Sequence, residues 1–115
     1  MPIQSMYSAT KAALNGLTLS LRSELWDENI CLSTVIPGTT ATPMWEGMAP
    51  ANAITAEESA RGILQGIAEN ERIVIVTDED RDGATNCFRP GGGPSWDEYL
   101  LGVARKRKSG IKGAL

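Results

Sequence analysis

The stretch ENICLSTVIPG, residues 28–38, is the first of two segments that decide the fold class. Its apolar and β-branched residues run almost without interruption and stop at Pro37-Gly38. This composition is typical of a β-strand, and a run that is apolar on both sides is typical of a parallel strand covered on both faces. Cys31 lies inside the run, and we therefore expect it to be a buried thiol.

A helix is predicted on each side of this strand. Upstream, from about Ser5 to Glu28, leucines recur every three or four residues, and Ser5 is the expected N-cap. Downstream, Thr55-Ala-Glu-Glu58 is a capping box that begins a helix ending near Asn70. We expect its buried stripe to comprise Ala60, Ile63, Leu64 and Ile67. A second β-branched strand, RIVIVT, follows at residues 72–77.

The order helix, strand, loop, helix, strand indicates an α/β fold. Two short apolar strands joined by a helix predict a right-handed parallel crossover within a layered sheet. Residues 1–78 are predicted to form this unit, residues 79–94 a glycine- and proline-rich flexible linker, and residues 95–115 a basic C-terminal helix and tail that includes Trp96. Two strands make a small core, so the unit is typical of the end of a larger sheet.

Composition excludes several classes of function. The sequence has no histidine, which removes Ser-His-Asp and Cys-His catalysis and the usual zinc sites, and we expect no metal. No apolar run approaches the roughly 20 residues that span a bilayer. The single basic cluster, at residues 105–108, lies in a chain of net charge −3, so neither nucleic-acid binding nor membrane contact is expected. With no secretory leader visible, we expect a cytoplasmic protein.

Tyr7 and Lys11 are the candidate catalytic pair. In YSATKAAL, residues 7–14, they stand four positions apart, so their side chains share one face of the predicted helix. A positive charge beside a phenol favours the phenolate form, which allows the phenol to exchange a proton with a carbonyl or alcohol oxygen. This spacing alone is a weak signal.

The context of the pair gives it meaning. YSATKAALNGLTLSLRSEL, ENICLSTVIPGTTATPM, TAEESARGILQGI and RIVIV resemble, in this order, the C-terminal half of the short-chain dehydrogenase/reductase family. The resemblance covers about residues 5–77. It implies the C-terminal part of a doubly wound Rossmann-type parallel sheet, and an oxidoreductase that interconverts a small carbonyl compound and a secondary alcohol with NAD or NADP.

The resemblance also implies roles for individual residues. Tyr7 would be the general acid and base, and Lys11 would assist it and bind the nicotinamide ribose. Pro37, Gly38 and Thr42 would hold the nicotinamide end of the cofactor. The irregular segment that follows would close over substrate through three side chains: Met44, Trp45 and Met48. For each of these three, a structural role in holding the loop down is an equal alternative.

Other parts of the family pattern have no counterpart in these 115 residues. The glycine-rich dinucleotide loop, the active-site serine and the asparagine of the catalytic set would all lie upstream of Tyr7. We therefore expect this chain alone to bind cofactor weakly, to leave an apolar helix face and a strand edge open, and to form homo-oligomers. The alternative is a truncated, non-catalytic relative that acts as an interaction piece, or a fragment.

Overall fold

A computed structural model of the chain describes residues 3–87, 89–91 and 94–111, with residues 94–96 described for the backbone only. The elements alternate between helix and strand in the first three-quarters of the chain. They are α1 (Ser5–Glu24), β1 (Thr34–Ile36), α2 (Ala56–Ala68), β2 (Ile73–Ile75), α3 (Asp78–Cys87) and α4 (Pro94–Lys108). Two 3-10 turns, Trp26–Glu28 and Pro43–Trp45, complete the set.

The two strands form a parallel pair, which confirms the predicted α/β class. Thr34 lies opposite Ile73 and Ile36 opposite Ile75. The Thr34 amide donates to the Arg72 carbonyl at 3.1 Å. Because the strands are parallel, both carboxyl ends lie at the same edge of the sheet, and the segments that follow the strands meet there. This α/β arrangement is consistent with part of a Rossmann-type sheet.

Helix α1 begins and ends differently from the prediction. Ser5 was expected to cap the helix, but it is the first helical residue, and Gln4 stands at the N-cap without a side-chain hydrogen bond. A serine with helical backbone angles no longer has the extended geometry that lets a cap hydroxyl reach the third amide, so this prediction was wrong. The helix ends at Glu24, and the 3-10 turn Trp26–Glu28 carries the chain on to Asn29 in the left-handed conformation.

Arg22 holds the C-terminal end of α1 against the sheet. Its side chain is buried, and its guanidinium donates to the backbone carbonyl of Leu32 and to both the carbonyl (2.8 Å) and the side-chain oxygen (2.7 Å) of Asn70. It also lies over the Trp26 ring, 5.5 Å from the centroid. One arginine thus joins α1 to the segments that lead into β1 and β2.

The outward face of α1 is apolar and open, as the sequence predicted. Met6, Leu14 and Leu17 are each more than half exposed. Gly16, on the same helix, has no atom within 4 Å of the position that a Cβ would occupy. Among the described residues, none packs against this position.

Helix α2 packs on β2 through its smallest residues. A Cβ on Gly66 would lie 2.6 Å from Val74 Cγ1, and one on Gly62 would lie 2.8 Å from Val76 Cγ1. Val74, only 2% exposed, is the most buried side chain described. These contacts require the glycines, because branched valines fill the space between helix and strand.

The predicted buried stripe of α2 was therefore wrong. Leu64 is 67% exposed, Ile67 and Ala60 are also exposed, and Ile63 is only partly covered. Ser59 and Gly66 are the buried residues of the helix. Hydrophobicity favoured the leucine and isoleucine face, whereas close contact with the strand favoured the small-residue face.

The capping box that begins α2 is confirmed. The Thr55 hydroxyl accepts from the Glu58 amide at 3.1 Å, and the Glu58 carboxylate accepts from the Thr55 amide at 2.8 Å. The bonds from the Thr55 amide and hydroxyl, with a smaller contribution from Arg61, lower the pKa of Glu58 below its usual value of 4.5.

The segment after β2 corrects the linker prediction. Residues 79–94 were expected to be a flexible linker, but residues 78–87 form α3. The Thr77 hydroxyl accepts from the Asp80 amide at 3.2 Å and donates to the Asp80 carboxylate, and acidic residues occupy the first turn. Both features stabilise a helix N-terminus, which explains why this glycine-poor part of the stretch is helical. The domain boundary at residue 78 stays a prediction.

Two further expectations concern cysteine and the tail. Cys31 is exposed, not buried, because β1 begins only at Thr34 and Cys31 precedes it. In α4, Val103 is buried while Tyr99 and Leu101 are about half exposed. The side chain of Trp96 lies outside the described residues. Within the described part of the chain, none of the helices has the length and apolar character needed to cross a membrane.

Candidate functional site

Tyr7 and Lys11 lie one turn apart on the first half of α1, as predicted. The Lys11 ammonium nitrogen is 5.4 Å from the centre of the Tyr7 ring. The tyrosine is 59% exposed. The pair is therefore open to solvent, with a cation against the phenol ring and within the distance at which a cation and an aromatic ring attract each other.

Pro37 and Gly38 form the turn at the carboxyl end of β1. Gly38 has φ +74°, a conformation that glycine adopts without strain. A Cβ at this position would lie 2.5 Å from Asp80 Oδ2 and 3.1 Å from Thr77 Cγ2. The space beside Gly38 is thus filled by the turn that begins α3, which reaches this point because the two strands are parallel.

Residues 39–54 form a closed loop, which we name the candidate substrate loop. Its two ends pair with each other: the Ile54 amide donates to the Thr39 carbonyl at 3.0 Å, and the Ala41 amide donates to the Ile54 carbonyl at 2.8 Å. A loop whose ends are joined in this way is compact and lies on the surface.

The three predicted substrate side chains differ in their surroundings. Met44 is 91% exposed and Met48 about half exposed. Trp45 is half-buried, and its indole nitrogen donates to the Thr40 carbonyl at 3.0 Å, so it holds the loop down. Met44 and Met48 are accordingly the side chains most available to a ligand. Thr42, at the start of the 3-10 turn, is also exposed.

Within residues 3–87, 89–91 and 94–111, no hydrogen bond or ring contact joins the tyrosine pair to the other predicted site residues. Tyr7 and Lys11 contact each other, and Gly38 contacts the start of α3. The predicted site residues therefore form two separate clusters, one around Tyr7 and one around Gly38. The same described region contains no group of three or more cysteine, aspartate or glutamate side chains that could hold a metal ion.

Sequence reasoning missed the contribution of Thr77 and Asp80. Thr77-Asp-Glu-Asp80 has the same spacing as the Thr55 capping box, and it begins at the last residue of a predicted strand. That signal was sufficient to predict a helix start. The linker prediction instead followed the glycines and prolines further along residues 79–94.

The first half of the chain matches a known family. A family model described as short chain dehydrogenase matches residues 1–53. This segment is similar to the short-chain dehydrogenase family. It contains α1, β1 and most of the candidate substrate loop, and therefore Tyr7, Lys11, Pro37, Gly38 and Thr42.

A curated relative supports the same assignment. The chain is 49% identical over 45 residues to an acetoacetyl-CoA reductase of Acinetobacter sp. (strain RA3849). The matched part is 39% of this chain and 18% of that reductase, so the chain spans under one-fifth of the relative's length. No solved structure matches the chain significantly.

The segment that the family model matches presents two exposed donors that could bind ribose hydroxyls. The Lys11 ammonium and the Thr42 hydroxyl are exposed, and none of the described hydrogen bonds uses them. An ammonium and a hydroxyl suit ribose hydroxyls and a carboxamide. Gly38 offers no such free space for a ligand, because Asp80 and Thr77 already occupy the position that its Cβ would take.

Proposed function

We propose that the chain is part of an NAD- or NADP-dependent oxidoreductase that interconverts a carbonyl compound and a secondary alcohol. The observation that carries this proposal is the exposed Tyr7 phenol with the Lys11 ammonium beside its ring, inside the segment that the short chain dehydrogenase model matches. The bound nicotinamide would supply or accept the hydride.

In this proposal Tyr7 moves the proton. During reduction its hydroxyl donates a proton to the carbonyl oxygen, and during oxidation the phenolate takes a proton from the alcohol. The positive charge of Lys11 stabilises the negative charge that develops on the phenol oxygen and offers hydrogen bonds to the ribose. Thr42 and the backbone at Pro37-Gly38 hold the nicotinamide end, and Met44 and Met48 cover the substrate.

The lengths of α1 and of the β1 segment support this assignment. Tyr7 and Arg22 are separated by about 22 Å along the helix. Leu32, which accepts from Arg22, and Gly38 are separated by about 20 Å of extended chain. If α1 runs antiparallel to β1 from its anchor at Arg22, Tyr7 would lie level with Gly38.

A chimaeric enzyme tests the proposal. Residues 1–53 replace the corresponding segment of the Acinetobacter reductase, and the oxidation of NADH or NADPH is followed with acetoacetyl-CoA, the substrate that the relative's name indicates. We expect activity, and we expect Tyr7→Phe to lower kcat by at least about 100-fold, since general acid–base catalysis contributes roughly that much. The matched control is Met6→Leu, an exposed neighbour on the same helix. A folded chimaera that is inactive, or one that keeps its rate with phenylalanine, would contradict the proposal.

One observation favours the alternative of an interaction piece. The open face of α1, with Met6, Leu14 and Leu17 exposed, is a surface that a partner helix or a second copy of the chain could cover. In that case the isolated chain would associate through α1 and show no hydride transfer. Sedimentation of the chain with Leu14→Glu and Leu17→Glu, compared with the unmodified chain, tests self-association. The cytoplasmic location stays a prediction.

A further inference from the structure

The candidate substrate loop is bonded to α3 across a long sequence separation. The Asn52 side-chain amide donates to the Glu79 carboxylate at 2.8 Å. Asn52 lies near the end of the loop, two residues before Ile54, whose backbone closes the loop on Thr39. A hydrogen bond to a charged acceptor is stronger than one between neutral groups, and this contact links the loop directly to α3.

The same turn of α3 also contacts the start of the loop. Asp80 lies against Gly38, immediately before residue 39. Both ends of the loop therefore meet consecutive residues of one helical turn, Glu79 and Asp80.

That turn is itself well fixed. The hydrogen bonds between Thr77 and Asp80 close its first turn, and the Arg81 guanidinium donates to the Ile75 carbonyl of β2 at 3.1 Å. The parallel pairing then connects β2 to β1, which leads into the loop. A rigid support of this kind is what a loop needs if its tip is to keep a defined position.

We propose that Glu79 and Asn52 are positioning residues that fasten the candidate substrate loop to α3. They act through Met44 and Met48, whose positions depend on how the loop is held, and neither is a catalytic residue. The fastening does not depend on the proposed function. Its importance for substrate rests on that function.

Hydrogen exchange measured by mass spectrometry on the full chain tests the fastening. Loss of one exposed hydrogen bond shifts a local opening equilibrium about fivefold. We therefore expect Glu79→Ala and Asn52→Ala each to speed amide exchange in residues 43–54 about fivefold, with no change in the β1 and β2 peptides. The double variant should exchange no faster than either single variant, because both remove the same bond.

Two matched variants separate positioning from a general effect of charge or folding. Glu79→Gln keeps an acceptor oxygen but loses its charge, so its loop exchange should lie between that of the unmodified chain and that of Glu79→Ala. Asp82→Ala removes the same charge from an exposed site on α3 and should leave the loop unchanged. Unchanged loop exchange in Glu79→Ala would overturn the proposal. So would additive single variants, or an equal effect of Asp82→Ala. Because the readout is exchange and not turnover, an inactive protein with a fastened loop would count against the proposed function alone.

Discussion

Replacing Gly38 by alanine should reveal how tightly α3 closes on the end of β1. The substitution first costs about 1–2 kcal/mol, because an L-residue is unfavourable at φ +74°. The new Cβ would also lie 2.5 Å from Asp80 Oδ2 and 3.1 Å from Thr77 Cγ2, well inside the roughly 3.5–4.0 Å of a normal contact. Overpacking of this kind costs about 1–3 kcal/mol more. We therefore expect a total loss near 3 kcal/mol.

Gly47→Ala is the matched control for this substitution. Gly47 has φ +81°, and no atom lies within 4 Å of its Cβ position, so alanine there should cost only the backbone strain of about 1–2 kcal/mol. Urea unfolding followed by circular dichroism measures both variants, with equal m-values as the condition for comparing them. The difference between them isolates the contact with α3.

A second background tests the cause. In Asp80→Ala the carboxylate that opposes the new methyl group is gone, so Gly38→Ala should cost less there than in the unmodified chain. The double-mutant cycle of Gly38→Ala and Asp80→Ala measures the coupling between the two positions, even though Asp80→Ala also weakens the start of α3. Equal losses for Gly38→Ala and Gly47→Ala, or a Gly38→Ala cost independent of Asp80, would refute the close contact between the β1 turn and α3.

Three further predictions concern the packing that supports the site. Gly66→Ala should destabilise the chain by about 1–3 kcal/mol, because the new methyl group would overlap Val74. Gly16→Ala meets no neighbouring atom and should stabilise the chain by about 0.5–1 kcal/mol through the better helix propensity of alanine. The midpoints of urea unfolding measure both effects. The ionised Glu58 cap stabilises the fold above the usual carboxylate pKa of 4.5, and this effect is lost as the pH falls through the lowered pKa of the folded state. The difference in stability between the unmodified chain and Glu58→Gln should therefore shrink on acidification. Urea unfolding at several pH values measures it. Arg22→Met should cost about 2–3 kcal/mol because the part-buried hydrogen bonds to Leu32 and Asn70 are lost, while the exposed Arg61→Met should change stability by less than about 0.5 kcal/mol in the same assay.

Local features of the structure were predictable from the sequence because they depend on residues close together in the chain. The four-residue spacing of Tyr7 and Lys11 places them on one face of any helix. The Thr55 capping box depends on residues within one turn. Alternation of helix and β-branched strand was enough to predict parallel pairing, since a short strand–helix–strand unit has few other solutions.

The predictions that failed each required knowledge of a contact between distant residues. Periodicity chose Leu64 and Ile67 as the buried face of α2, but Val74 of β2 and Val76 just beyond it admit only the glycine face. Composition predicted a linker after residue 78, but α3 is held there by its cap and by contacts with β2 and Gly38. Cys31 was judged by its apolar neighbours, although the strand begins beyond it.

By itself, the sequence determined the class of fold, the tyrosine–lysine pair and the helix cap, because spacing along the chain sets those relations before any packing occurs. The tertiary structure alone decided which face of α2 is buried, that Arg22 fastens α1, and that the first turn of α3 meets both ends of the candidate substrate loop. Each of these depends on close packing and on buried or charged groups finding partners dozens of residues away.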